Sequence, residues 1–170
     1  SGTTLIKSLL QDIQLGNGID TKACRDYVRQ CVDSLLRNES AMIWLSRIKQ
    51  RDEYTGQHCL AVSILAIGFA RFLGHENNEL EQAGLCGLLH DVGKIKVDQS
   101  VLNKPGKLTD QEFNHMRQHA KLGYDLLLSH SDVPPNAVDA AYNHHERLDG
   151  TGYPRALNAD QIPYWARVIS

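Results

Sequence analysis

Two adjacent pairs of residues could do metal chemistry. His90-Asp91, followed at once by Gly93-Lys94, sets a nitrogen donor beside a carboxylate where the apolar run Leu85 to Leu89 gives way to a glycine. His144-His145 offers two more nitrogens. Imidazole nitrogen with carboxylate oxygen suits iron, manganese, nickel or zinc better than magnesium or calcium. Lys94, so near the first pair, is well placed to meet an anion. Thiolates do not belong to the set: Cys24, Cys31, Cys59 and Cys86 show no Cys-x-x-Cys spacing and lie in apolar or helical patterns, as buried reduced thiols in a cytosolic protein would.

Of the eight histidines, His58, His90, His119, His144 and His145 stand at element ends or on apolar faces. An imidazole there is costly unless it gains a ligand or a hydrogen bond. With Asp91 they form the candidate ligand set. His75, after a helix-ending glycine, and His130, in a polar loop, read as solvent histidines. His115 is one turn before His119 but sits with Asn114 and Arg117 on the polar side, and is left out. Neighbours on a helix point about 100° apart, so His144 and His145 serve one ion only at a helix end, or else address different parts of a cluster.

The elements that must position these residues are helices. Apolar spacing predicts a first helix over Thr4 to Leu15, ended by Gly16-Asn17-Gly18. A second, capped by Asp20 or Thr21, carries the stripe Ala23, Tyr27, Cys31, Leu35 and Leu36 to Asn38, and a third runs from Ser40 through Met42, Trp44, Leu45 and Ile48. Arg51 to His58 is polar and turn-like, and an apolar helix follows it to Gly74, with His58 at its mouth. Glu79 to Leu89 forms the next helix, and Ile95 to Leu108 reads as a loop. Thr109 to Glu112 is a capping box opening a helix through Phe113, Met116, His119, Leu122, Leu126 and Leu127. Pro134-Pro135 introduces a helix from Asn136 to about His145, and Pro163 a last one. No alternating strand or repeat is visible. The predicted class is all-α, a bundle of about seven helices around one core.

Composition narrows the functions. The chain has 170 residues, with 42% hydrophobic and 22% charged residues, as a soluble domain would. Net charge is −2 without a long basic run, which argues against binding a long nucleic acid. The longest apolar run, Cys59 to Leu73, is interrupted by Ser63, Gly68 and Arg71 and falls short of the ~18 residues of a membrane span.

Taken together, His90-Asp91-x-Gly93-Lys94, His119 and His144-His145-Glu146-x-x-Asp149-Gly150-x-Gly152-Tyr153-Pro154 resemble the signature of the HD-GYP family, a branch of the HD-domain metal-dependent phosphohydrolases. The resemblance extends back to Tyr54 to His58 and covers about residues 45 to 170. It implies an α-helical catalytic domain over 41–170, with the helices of 1–40 packing on it or leading into it. It also implies hydrolysis of a cyclic dinucleotide, cyclic di-GMP or 3′,3′-cyclic GMP-AMP, to the linear form at two or three transition metals that share a hydroxide, and the sulfur-free donor set favours iron or manganese. His58, His90 and Asp91 would serve one ion; Asp91, bridging, with His119, His144 and His145 the other. Lys94 would contact the scissile phosphate, and Gly150, Gly152, Tyr153 and Pro154 would lie at the substrate pocket.

By the same resemblance the Gly-Tyr-Pro loop is either a docking point for a protein partner or a rigid turn; the second and third helices read as packing elements, the alternative being a dimer face or the relay from a sensor domain upstream. Two departures stand out. Tyr54 occupies a position where some members carry a metal-binding glutamate, with Glu53 out of register by one, which favours two metals over three. A further metal-binding aspartate of the family falls after Ser170. The competing expectations are a non-catalytic module that binds a nucleotide or a partner, and an HD-type nucleotidase.

Overall fold

The computed structural model describes residues 2–38 and 56–170. The helix expected from Ser40 through Ile48 and the segment Arg51 to Thr55, with Glu53 and Tyr54, lie outside the described residues. Among the described residues are eight α-helices and one 3-10 turn, with no strand pairing beyond an isolated bridge between Asp149 and Asn158. The all-α class holds.

α1 (Gly2–Leu15) buries Ile6, Leu9 and Ile13, and Gly16 follows it at φ 79°. α2 (Thr21–Arg37) is capped by Asp20, whose carboxylate accepts from the Ala23 N–H at 2.9 Å. Its buried face is Cys24, Val28, Val32 and Leu35, one residue round from the expected stripe; Leu36 is exposed, and Tyr27 and Cys31 are half-buried. The cause lies on another helix. A Cβ on Gly84 would come within 2.6 Å of Val28 Cγ1, so the bare glycine backbone is the notch that draws Val28 inward.

α3 (Gly56–Phe72) and α4 (Asn77–Leu89) pack side by side, tied by a buried hydrogen bond from Ser63 Oγ to the Gly84 carbonyl at 2.7 Å. α3 begins before His58, so Gly56 to His58, expected in a turn, are helical; Gly56 lies close against Ile6 of α1, which supports that first turn. α4 starts two residues earlier than expected because the Glu79 carboxylate accepts from the Glu76 N–H at 3.1 Å. Leu80, Leu88 and Leu89 of α4 are fully buried, worth about 1.5–3 kcal/mol each.

The stretch expected as a loop from Ile95 to Leu108 contains the end of a 3-10 turn (Val92–Lys96) and a single-turn helix, α5 (Gln99–Leu102). Elements so short carry no readable apolar period. α6 (Asp110–Leu128) opens with the Thr109/Glu112 capping box. It buries His119, Ala120, Gly123 and Leu127, whereas Phe113 is exposed: the start of the helix projects past the core. α7 (Pro135–Asn143) and α8 (Tyr164–Ile169) follow their prolines. One hydrophobic cluster takes residues from Ile6 to Trp165, so α1 and α2 share a core with the helices that carry the histidines.

Two histidines expected in solvent are structural. His75 Nε2 lies 2.6 Å from the Tyr164 hydroxyl and its ring 5.2 Å from that of Trp165, docking α8. His130 Nε2 accepts from the Ile19 N–H at 3.1 Å. Their partners are too far along the chain for local reading to find. Cys24, Cys31, Cys59 and Cys86 are free, and burial pushes their thiols up. Among the described residues no helix is long and apolar enough to cross a membrane.

Candidate metal centre

Each of the central ligand candidates is set by a helix end or a close helix contact. His90 caps the C-terminus of α4, and Asp91 begins the 3-10 turn. Gly93 then presses that turn onto α6: a Cβ there would sit 2.0 Å from the His119 carbonyl oxygen and 2.4 Å from the Gly123 nitrogen. Only a glycine permits this approach, and it brings Asp91 to His119. His144 caps the C-terminus of α7 and His145 lies one residue beyond. That is the helix end at which two adjacent histidines can face one centre.

Asp91 is the meeting point. Its Oδ1 lies 3.3 Å from His119 Nε2 and 3.5 Å from His144 Nε2. Its Oδ2 lies 3.2 Å from His90 Nε2, 3.5 Å from His58 Nε2 and 2.7 Å from Lys94 Nζ. The two carboxylate oxygens therefore face two different sets of donors. One set is Asp91, His119, His144 and His145, the other His58, His90 and Asp91, and within each the ligand atoms lie within 4.8 Å of one another.

The hydrogen bonds behind the rings decide what this arrangement can bind. His90 Nδ1 lies 2.7 Å from the Gly87 carbonyl, His119 Nδ1 2.6 Å from the Met116 carbonyl, and His144 Nδ1 3.0 Å from the Ala141 carbonyl. A carbonyl only accepts, so each Nδ1 carries a proton, and in its neutral form each ring turns a bare Nε2 lone pair inward. His119 and His144 then oppose lone pairs at 3.2 Å. The buried Asp91 Oδ1 between them has no hydrogen-bond partner among the described residues. Two imidazole lone pairs and an anionic oxygen converging without a proton among them call for a cation.

The titration behaviour agrees. Burial holds His119 down to about 4 and, with the neighbouring His144 and His119, holds His145 down to about 3; burial likewise lowers His58 and His144. Burial alone would raise the Asp91 carboxyl, yet it lies far below the usual carboxylate range, the Lys94 ammonium at 2.7 Å among the causes. Near neutral pH His58, His119, His144 and His145 thus offer neutral nitrogens beside a fixed negative oxygen, a donor set that suits a divalent metal.

The Gly-Tyr-Pro loop adjoins the centre. Tyr153 stacks on His145, with ring centroids 4.6 Å apart and planes at 21°, and its N–H donates to the His145 carbonyl at 3.2 Å. Burial pushes its hydroxyl up to about 12. Gly152 lets the loop fold back on the histidine turn, since a Cβ there would sit 2.3 Å from the Arg147 nitrogen. Gly150 turns the chain at φ 75° beside an Asx turn in which Asp149 accepts from the Thr151 N–H and hydroxyl.

Sequence reasoning gave Glu146 no role, yet it is the buried peg of this loop. It accepts from the Arg155 N–H at 2.6 Å and the Leu157 N–H at 2.8 Å. Its place directly after two ligand candidates, within the His144 to Pro154 motif, was the available signal. His115 stays out of both donor sets, as expected, and accepts weakly from the Asp98 N–H at 3.4 Å.

A family model for the HD domain matches residues 32–170. A cyclic di-GMP phosphodiesterase of Pseudomonas aeruginosa, PA4108, is 44% identical over 163 residues, covering 96% of this chain and 39% of its own length. The cyclic di-GMP phosphodiesterase response regulator RpfG of Xanthomonas campestris is 39% identical over 125 residues, 72% of this chain and 33% of that protein. A 3′3′-cGAMP-specific phosphodiesterase of Vibrio cholerae is 35% identical over 124 residues, 72% of this chain and 24% of that protein. The chain thus spans well under half the length of these relatives. Among solved structures, Bd1817, an HDG"Y"P protein from Bdellovibrio bacteriovorus, superposes with a TM-score of 0.84 over 99% of this chain and 55% of its own, at 20% identity, which establishes a shared fold.

Proposed function

The chain belongs to the HD domain family, in its HD-GYP branch, and we propose that it carries the catalytic centre of a metal-dependent phosphodiesterase that opens a cyclic dinucleotide, cyclic di-GMP or 3′,3′-cyclic GMP-AMP, to the linear form. The observation that carries the proposal is the division of Asp91, one oxygen towards each histidine set. Oδ1 with His119, His144 and His145 would hold one divalent cation, and Oδ2 with His58 and His90 a second, iron or manganese by the nitrogen-rich donor chemistry. Bound cations of this kind supply Lewis-acid polarisation of a phosphate and activation of water.

The side chains do the rest. The backbone carbonyls of Gly87, Met116 and Ala141 fix the tautomer of three histidines, so that the neutral ring of each offers Nε2 to a cation. Lys94, paired with Asp91 at 2.7 Å and partly buried, sits at the rim of the carboxylate. Its ammonium would turn to the scissile phosphate and offset charge growing on the phosphoryl oxygens. Gly150, Gly152, Tyr153 and Pro154 would wall the substrate pocket, with Glu146 fixing the loop. In this reading residues 41–170 are the catalytic domain, to which the helices of 1–40 lead. The protein is cytoplasmic, takes its signal from a domain upstream, and offers the Gly-Tyr-Pro loop to a protein partner.

The test is turnover. Full-length protein loaded with manganese or ferrous iron should convert cyclic di-GMP or 3′,3′-cyclic GMP-AMP to the linear dinucleotide, read by chromatography. Tight binding of either nucleotide without any product would replace the enzyme by a non-catalytic module. Turnover of other phosphoesters alone would make it a nucleotidase.

A further inference from the structure

Beside the metal centre, an open hollow of about 380 Å³ is lined by Asn114, Arg117, Gln118, Lys121, Tyr153 and Pro154. Its four polar side chains come from one face of α6, at the i, i+3, i+4, i+7 spacing that aligns residues along a helix. Its wall is the ring of Tyr153, the same ring that stacks on His145. The hollow therefore begins one aromatic ring away from a ligand candidate, within the span of a nucleotide whose phosphate sits at Asp91.

Arg117 is the unusual member. Its guanidinium carbon lies 4.5 Å from the Tyr153 ring centroid and 5.7 Å from that of Phe113. Among the described residues no carboxylate or carbonyl pairs with it, although it is half-buried. A guanidinium held by aromatic rings keeps its N–H edge free in a fixed plane, which is the posture for reading two adjacent acceptors at once. Nearby charge is otherwise neutralised, since Lys121 pairs with both oxygens of Asp125. What flanks Arg117 is therefore two amides, Asn114 and Gln118, and a strip of mixed donors and acceptors with a single unpaired fork fits a base edge better than a phosphate. O6 and N7 of guanine are the paired acceptors that an arginine fork takes; adenine presents a donor at the first of these positions. Exposed Phe113 supplies an apolar surface on which a base can stack.

We propose that Arg117, laid against Tyr153, reads the O6/N7 edge of a guanine in the dinucleotide and so sets a preference for guanine over adenine at that base. The inference rests on the phosphodiesterase reading above. The experiment compares kcat and KM of full-length, metal-loaded wild type, Arg117→Ala and Arg117→Lys with cyclic di-GMP and cyclic di-AMP.

Wild type should prefer cyclic di-GMP. Arg117→Ala should raise KM for cyclic di-GMP roughly 10- to 100-fold with a smaller change in kcat, and shrink the guanine-over-adenine ratio of kcat/KM by a similar factor. Arg117→Lys should restore neither, because an ammonium cannot make the paired contact. An active wild type whose ratio is unmoved by Arg117→Ala, or has no guanine preference, overturns the inference and leaves the phosphodiesterase reading standing. Recovery of KM by lysine overturns it in favour of a phosphate contact. A wild type inert towards both dinucleotides and towards 3′,3′-cyclic GMP-AMP overturns the phosphodiesterase reading and this inference with it.

Discussion

The two donor sets that meet at Asp91 are held in different ways. His119 and His144 are buried, at 1% and 4% side-chain exposure, and backbone carbonyls lock their tautomers; His58 is 50% exposed, and no carbonyl among the described residues orients its ring. His90 is locked to Gly87, so the His58–His90 set is half rigid and half open. A preorganised, desolvated set binds a cation with little reorganisation and exchanges it slowly, whereas an open one holds it less tightly. One carboxylate thus faces a closed donor set and an open one through its two oxygens.

The largest effect should come from removing the shared group. Asp91→Ala is expected to empty both sets and abolish turnover, with elemental analysis and activity as readouts; retention of one ion at wild-type level would break the claim that both sets depend on Asp91. Next, His119→Ala should strip the closed set and cost far more metal than His58→Ala, which should release only the more weakly held ion. Titration of the variants with a chelator compares them, and equal losses would erase the distinction between closed and open. Lys94→Ala should lower turnover ~10²- to 10³-fold, as loss of one positioned charge at a transition state does, while metal content stays near wild type. An undiminished rate would remove Lys94 from the reaction.

Two smaller effects concern stability. Glu146→Ala leaves the N–H groups of Arg155 and Leu157 without their acceptor and should cost about 1–3 kcal/mol, read by denaturant unfolding. Unchanged stability would deny Glu146 its part in holding the loop. In protein freed of metal, stability should fall as pH drops from 6.5 towards about 4. The unfolded chain protonates His119 and His145 near 6.5, while burial delays the folded chain to about 4 and about 3, so acid favours the state that binds more protons. A melting temperature flat across that range would contradict the burial argument, and loading with metal should hold the melting temperature up to lower pH.

Among the described residues, helices marked by a cap or a long apolar run were readable, as at Asp20, Thr109 and Pro135, and the histidines that the structure brings to Asp91 stood out because metal chemistry restricts residue types. Three things were not. Val28 faces inward because of Gly84 on another helix, and no window along α2 contains that glycine. His75 and His130 found partners at Tyr164 and Ile19, across the fold. The division of Asp91 between its two oxygens, and the carbonyls that bare the Nε2 atoms, are matters of ångströms that spacing does not carry. Gly93 is the intermediate case: its place in the His-Asp motif is plain, but its reason, contact with the His119 carbonyl, is visible only in three dimensions.

The most direct test is a crystal of the protein grown with manganese and measured at an energy where manganese scatters anomalously. Two peaks are expected, on opposite sides of the Asp91 carboxylate. One should lie within bonding distance of Oδ1 and of nitrogens from His119, His144 and His145, the other within bonding distance of Oδ2, His58 and His90. A single ion shared by histidines of both sets, or peaks that do not touch Asp91, would contradict this arrangement.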